Sequence, residues 1–263
     1  MTTGTLLDRA FRLYTGNFSL MLGITAAAYV PFYLIMLAIQ SGLGINPQSQ
    51  SGGLMMIFFQ VVFLILWAST AFPIASGAAT YAISERYLGR DVAIGDALKQ
   101  GLSRFWTLSV AQIIVSIRVM IGFILLIVPG ILWMLSYSLV IPAISVEGQK
   151  SGASVRRSRD LVHGHRGKVF CVLFVINVLQ ALFALGVNTI VEFLVSVDSG
   201  GGEIMYSALN HLLSIFLTPL GIITTILLYY DLRIRKAGFD LEMLSQSIAA
   251  RPHSVAATPS LSG

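Results

Sequence analysis

The stretch VFCVLFVINVLQALFALGVNTIVEFLV, residues 169–195, holds a single charged residue, Glu192. At 1.5 Å of rise per residue, a helix of this length reaches about 40 Å, more than the roughly 30 Å hydrocarbon core of a bilayer. No soluble fold needs so long an uninterrupted apolar run, so this segment reads as a membrane-spanning helix. Five further stretches have the same character: 18–39, 54–82, 106–128, 130–146 and 206–230. In lipid every backbone amide must be satisfied within its own segment, which selects helices. The fold class is therefore all-α: a polytopic membrane bundle of six transmembrane helices.

Composition agrees. Hydrophobic residues make up 56% of the 263 and charged residues 11%, against about 25% charged in soluble domains, and the mean hydropathy is +0.80. The single cysteine, Cys171, excludes a disulfide or a cysteine metal site within one chain. A cleaved leader is not expected. Residues 18–39 outrun a signal-peptide core, and the AAA at 26–28 lies in mid-run. Between the third and fourth stretches Val128-Pro129-Gly130 reads as a tight turn, with a re-entrant pair as the rival reading.

The loops set orientation. Of 17 lysines and arginines, all but Arg118 lie in four places: the N-terminal segment, residues 86–104, residues 150–168, and the tail after residue 232. In a six-span chain these are all on one side, which the positive-inside rule makes cytoplasmic, with both termini. The net charge of +5 thus points to a membrane surface rather than to nucleic acid, for which no reader segment is present.

Three polar segments carry helical stripes. TLLDRAFRLYTGNF (5–18) aligns Leu7, Ala10, Phe11 and Tyr14, and AIGDALKQGLSRF (93–105) aligns Ile94, Ala97, Leu98, Leu102 and Phe105. GASVRRSRDLVHGHRGKVF (152–170) aligns Val155, Ser158, Leu161 and Val162, opposite Arg156, Arg157, Arg159 and Asp160. Each is too polar to span and reads as an interfacial amphipathic helix. Gly16 and Gly164 are expected to end the first and third.

Each such helix precedes two spans, the second with a proline: Pro73, Pro142 and Pro219. An acid follows each proline, Glu85 and Asp231 twelve residues on and Glu147 five. This is a candidate threefold parallel repeat, with units 4–90, 91–150 and 151–240 inside a membrane domain of 1–242. Glu85, Glu147 and Asp231 are candidates for ion pairs between units. The close of the sixth span, YYDLRIRKAGFD (229–240), reads as a membrane boundary: Tyr229 and Tyr230 in the aromatic belt, Arg233, Arg235 and Lys236 below, Gly238 ending the helix. Residues 243–263, small, polar and with two prolines, are expected to be a disordered cytoplasmic tail.

Candidate chemistry is sparse. Arg118 lies within the third span, where a charge is a functional hypothesis by default, with Glu192 as its candidate partner or the outer headgroups as its refuge. Arg156, Arg157, Arg159, Arg233, Arg235 and Lys236 are candidate contacts for lipid phosphate, which arginine binds in bidentate fashion. A generic basic loop is the plainer explanation of the 156–159 run. His163 and His165 fall on different helix faces and lack a third ligand, so no metal is expected. No nucleophile–base motif and no cofactor-binding loop is found.

Val128–Phe170 (VPGILWMLSYSLVIPAISVEGQKSGASVRRSRDLVHGHRGKVF), Thr218–Leu244 (TPLGIITTILLYYDLRIRKAGFDLEML) and the opening LLDRAFRLYTGNF resemble the membrane domain of the glycerophosphoryl diester phosphodiesterase type, also found as stand-alone six-span bacterial proteins. The resemblance spans about residues 3–245 and implies a bacterial inner-membrane protein. It does not carry over hydrolysis, which in that family belongs to a separate soluble barrel with acidic metal ligands. The expectation is a non-enzymatic membrane protein that binds phospholipid, or organises a membrane protein partner, at the cytoplasmic leaflet. A small-molecule or lipid transporter is the alternative. An intramembrane enzyme ranks last, because no acid–base pair lies at membrane depth.

Overall fold

The computed structural model describes residues 2–42, 50–87, 89–194 and 202–249, which form helices and no strand. In chain order these are α1 (Thr3–Gly16), α2 (Phe18–Gly42), α3 (Gln50–Ser69), α4 (Ala71–Tyr87), α5 (Ile94–Ser103), α6 (Phe105–Leu125), α7 (Ile127–Tyr137), α8 (Val140–Glu147), α9 (Ser151–Val162), α10 (Arg166–Leu194) and α11 (Gly202–Ala249). Six segments are long and apolar enough to cross a membrane: Phe18–Ile35, Ile57–Tyr87, Phe105–Leu125, Ile127–Glu147, Arg166–Glu192 and Ala208–Gly238. Short helices α1, α5 and α9 each precede a pair of spans. The outer surface agrees with the bilayer reading. Leu54, Ile57, Phe58, Leu64 and Ile65 of α3, and Phe174, Leu182 and Phe183 of α10, are all exposed. So large an apolar surface is a liability in water and a requirement in lipid.

Two prolines coincide with breaks in the spans, while Pro31 and Pro219 sit inside unbroken helices. Proline has no N–H for the carbonyl four residues back and its ring crowds that carbonyl. Pro73 abandons Ser69, and the second span parts at Thr70 between α3 and α4. Pro142 abandons Ser138, and the fourth span parts at Ser138–Leu139 between α7 and α8. Pro219 sits inside an unbroken α11, where polar side chains of other helices approach the freed Ile215 carbonyl and its two neighbours. Thr25 Oγ1 lies 3.1 Å from the Ile215 carbonyl, Tyr14 donates to Phe216 at 2.8 Å, and Gln180 donates to Leu217 at 2.6 Å. These bonds tie α2, α1 and α10 to α11, which is the axis of the main core. Ile223, Ile226, Leu228 and Tyr229 pack there with Leu6, Met21, Ala79 and Val172. Burial also pushes the Tyr14 phenol above its ordinary pKa.

Several sequence expectations shift. α1 buries Leu6 and Ala10, while Phe11, expected in its stripe, is 54% exposed. α5 buries Ala97 and Gly101 and leaves Ile94 and Leu102 outside. The reason is that α5 crosses the alanine-rich face of α4. A Cβ on Gly101 would come within 2.7 Å of the Ile74 carbonyl, so small residues, not large ones, make this contact. The third-to-fourth reversal occurs at Leu126, which is extended, and Pro129 lies in the first turn of α7. Gly130 instead lets α7 cross α6 closely: its Cβ would meet Phe123 at 2.6 Å. α1 ends on Asn17 rather than on a left-handed Gly16, whereas Gly164 after α9 is left-handed as expected, at φ +84°. α11 does not stop at Gly238 but runs to Ala249. The expected disordered tail is thus helical over 243–249, and residues 250–263 lie outside the described residues.

Candidate functional site

Most of the basic residues proposed for lipid are committed to the protein. Glu147, at the end of α8 and 11% exposed, receives Arg157 of α9 through Nε and Nη2, each 3.1 Å from Oε1. Tyr229 of α11 donates to the same oxygen at 2.5 Å, and Arg233 stands 3.8 Å away. Gln149 takes Oε2 at 2.7 Å. Glu147 therefore links α8 to α9 and α11. Asp231, 5% exposed, pairs with Lys168 of α10 and with Arg235 one turn on. Both partners lie in its own unit. Lys236 donates to the Asp160 carbonyl at 2.8 Å. Glu85 pairs with Arg90 at 3.2 Å in an exposed, local contact. The neighbouring Ser84 hydroxyl lies 3.0 Å from Tyr230 Oη and so carries the link between the first and third units. Tyr229 is fully buried, so it belongs to this network and not to an aromatic belt.

Arg156, Arg159 and Arg118 are left over, and the fold brings them together. The break before Pro142 leaves the Leu139 N–H and the Ser136 carbonyl without helical partners. Ser158 of α9 meets both, accepting from Leu139 at 3.1 Å and donating to Ser136 at 2.8 Å, fully buried. At its start α9 is held by Ser151, which donates to the Thr107 carbonyl at 2.8 Å. Pinned at Thr107 and at Ser136, α9 runs beside α6 instead of lying flat at its foot. Arg156 and Arg159, three residues apart, share one face. They line a cavity of about 210 Å³ with Arg118, Tyr137, Gly152 and Val155.

The electrostatics of this cavity are one-sided. Its lining contains no acid, and among the described residues none of its three guanidinium groups has a carboxylate partner. Arg118 stands 5.7 Å from the centroid of the Tyr137 ring, a cation–π contact that offsets part of its desolvation. The expected partner Glu192 does not meet it. All three arginines are exposed, so their surroundings screen the mutual repulsion, and a bound anion would offset it further. The volume holds about seven waters at roughly 30 Å³ each, enough for a phosphate group. Ile113, Ile117, Met120 and Ile121, near Arg118 on α6, are exposed apolar residues of the kind that face lipid.

Sequence reasoning proposed all three arginines but placed Arg118 apart from the other two. The available signal was the i, i+3 spacing of Arg156 and Arg159, with Arg157 turned about 100° away from Arg156. No group of three or more His, Cys, Asp or Glu that could hold a metal occurs among the described residues. No protein-family model matches the chain, and neither a curated protein nor a solved structure does.

Proposed function

We propose that this chain is a non-enzymatic integral membrane protein that binds the phosphate of an anionic phospholipid between Arg118, Arg156 and Arg159. The observation that carries the reading is the convergence of three guanidinium groups on one acid-free cavity, with exposed apolar residues nearby on α6. Guanidinium groups present paired N–H donors that match phosphate oxygens, and at a partly desolvated site such bonds are strong. The phosphodiesterase-type resemblance supports a bacterial inner membrane. The placement of all basic residues but Arg118 at one end supports cytoplasmic termini, with Arg156 and Arg159 near the inner face and Arg118 deeper in its span.

The test is binding to the purified full-length protein in uncharged detergent. Short-chain phosphatidylglycerol, glycerol phosphate and inorganic phosphate are the probes. The expected result is retention of anionic lipid, lost in Arg118→Leu and in the Arg156→Leu/Arg159→Leu pair. Equal affinity for inorganic phosphate and the lipid would assign the site to a soluble anion. Unchanged lipid binding in these variants would refute it.

A further inference from the structure

A second cavity, of about 290 Å³, lies inside the bundle between α4, α6, α7, α8, α10 and α11. Its polar lining residues include Ser76, Gln112, Tyr137, Ser138, Asn177 and Thr225, and no lining residue is charged. Most of the remaining wall is apolar, from residues such as Val115, Val119 and Met134.

Three of the polar groups have donors to spare. Ser76 is 2% exposed and its hydroxyl has no hydrogen-bond partner. A buried hydroxyl left unmet is costly. Gln112 makes no hydrogen bond among the described residues, which leaves both its amide protons. Asn177 spends one amide proton on the Leu173 carbonyl, at 2.7 Å, and keeps the other. Ser138 and Thr225 spend their protons on Leu135 and Gly221. The site therefore presents spare hydroxyl and amide donors, with two amide oxygens beside them, in an apolar setting. That fits an uncharged group with acceptor oxygens, such as an ester carbonyl.

Position narrows the occupant further. Tyr137 lines this cavity and the arginine cavity alike, so the two share a wall. The rim residues Met134 and Asn177 are exposed, and beside Asn177 so are the apolar Phe174 and Val178. Exposed lining residues flanked by exposed apolar side chains suit a lipid better than a solute arriving from water.

We propose that this cavity takes the glycerol–ester region of the lipid whose phosphate rests on Arg118, Arg156 and Arg159. The proposal rests on the headgroup reading above and adds recognition of the ester linkage.

The experiment compares three probes on the full-length protein in uncharged detergent: a short-chain diester phosphatidylglycerol, its diether counterpart, and glycerol phosphate. Ether oxygens lack the carbonyl acceptors. The diester is expected to bind about tenfold tighter than the diether. The Gln112→Leu/Asn177→Leu pair should abolish that difference and leave glycerol phosphate binding unchanged. Ser76→Ala, which adds no bulk, should reduce the difference by about threefold and guards against misfolding of the pair. If Arg118→Leu removes glycerol phosphate binding but diester and diether bind alike, the headgroup reading stands and the ester proposal is overturned. If Arg118→Leu leaves all three probes unaffected, both fall. Displacement of the diester by free glycerol, dependent on Gln112 and Asn177, would reveal a polar solute site and also overturn it.

Discussion

Two sets of arginines stand at the same end of the bundle and differ in what faces them. Arg157 and Arg233 are directed at Glu147, whose Oε1 also accepts from Tyr229. Arg156 and Arg159, one residue before and two after Arg157, share a cavity with Arg118 and Tyr137 and make no ion pair among the described residues, although Arg156 also lines a groove with Asp160. The first set is complete within the chain and fastens α8, α9 and α11 together. The second lacks its counter-charge. Basic residues on one helix thus divide by helical phase into those that meet a carboxylate and those that do not, and composition alone cannot separate them.

The comparison can be broken from either side. The largest effect is expected from Glu147→Ala. It strands Arg157, Arg233 and the Tyr229 hydroxyl, and should lower stability by about 3 kcal/mol, measured by thermal or denaturant unfolding in detergent. An unchanged midpoint would mean that the network does not fasten the helices. The Arg118→Leu/Arg156→Leu pair should do the reverse. Anionic-lipid affinity should fall about a hundredfold, equivalent to about 2.7 kcal/mol, while unfolding of the lipid-free protein is unchanged or harder. A parallel loss of stability would show that these arginines are fasteners too.

Ser158→Ala tests the joint between the two regions. It leaves a buried N–H and a buried carbonyl at the α7–α8 break unmet, at a cost of about 2 kcal/mol. Because Ser158 sets the position of α9, lipid affinity should fall with stability, unlike in either arginine set. The smallest effect belongs to Glu85→Gln. Its partner Arg90 is 70% exposed, and such pairs contribute about 0.5 kcal/mol or less. A large loss there would argue that the first unit is fastened by Glu85 as the second is by Glu147.

The spans were legible because hydropathy over about twenty residues is a large, additive signal. Helices α1, α5 and α9 were legible from periodicity, and Glu147 and Asp231 from their place after the prolines. What failed was local geometry set by a neighbour. In α5 the sequence stripe favours Ile94 and Leu102, but the alanine face of α4 admits Gly101. At the hairpin Pro129-Gly130 reads as a turn, but Gly130 serves the crossing of α6 and α7 while Leu126 reverses the chain. Gly238 reads as a stop, yet α11 continues past it. For Gly101 and Gly130 a residue type suited to several roles had its role chosen by the helix packed against it, whereas at Gly238 no neighbour lies within 4 Å and the helix simply continues.

For the site the division is similar. The count and placement of arginines, the basic end and the spans are properties of short windows of sequence, and they need no partner to be read. The pairing is different. Arg118 lies in the third span and Arg156 in the next polar segment, and only the bend before Pro142, filled by Ser158, brings α9 alongside α6. A carboxylate or a cavity opposite a guanidinium is decided by how helices far apart in sequence cross. Electrostatic energy depends on distance through space, and distance through space is set by the packing of the bundle.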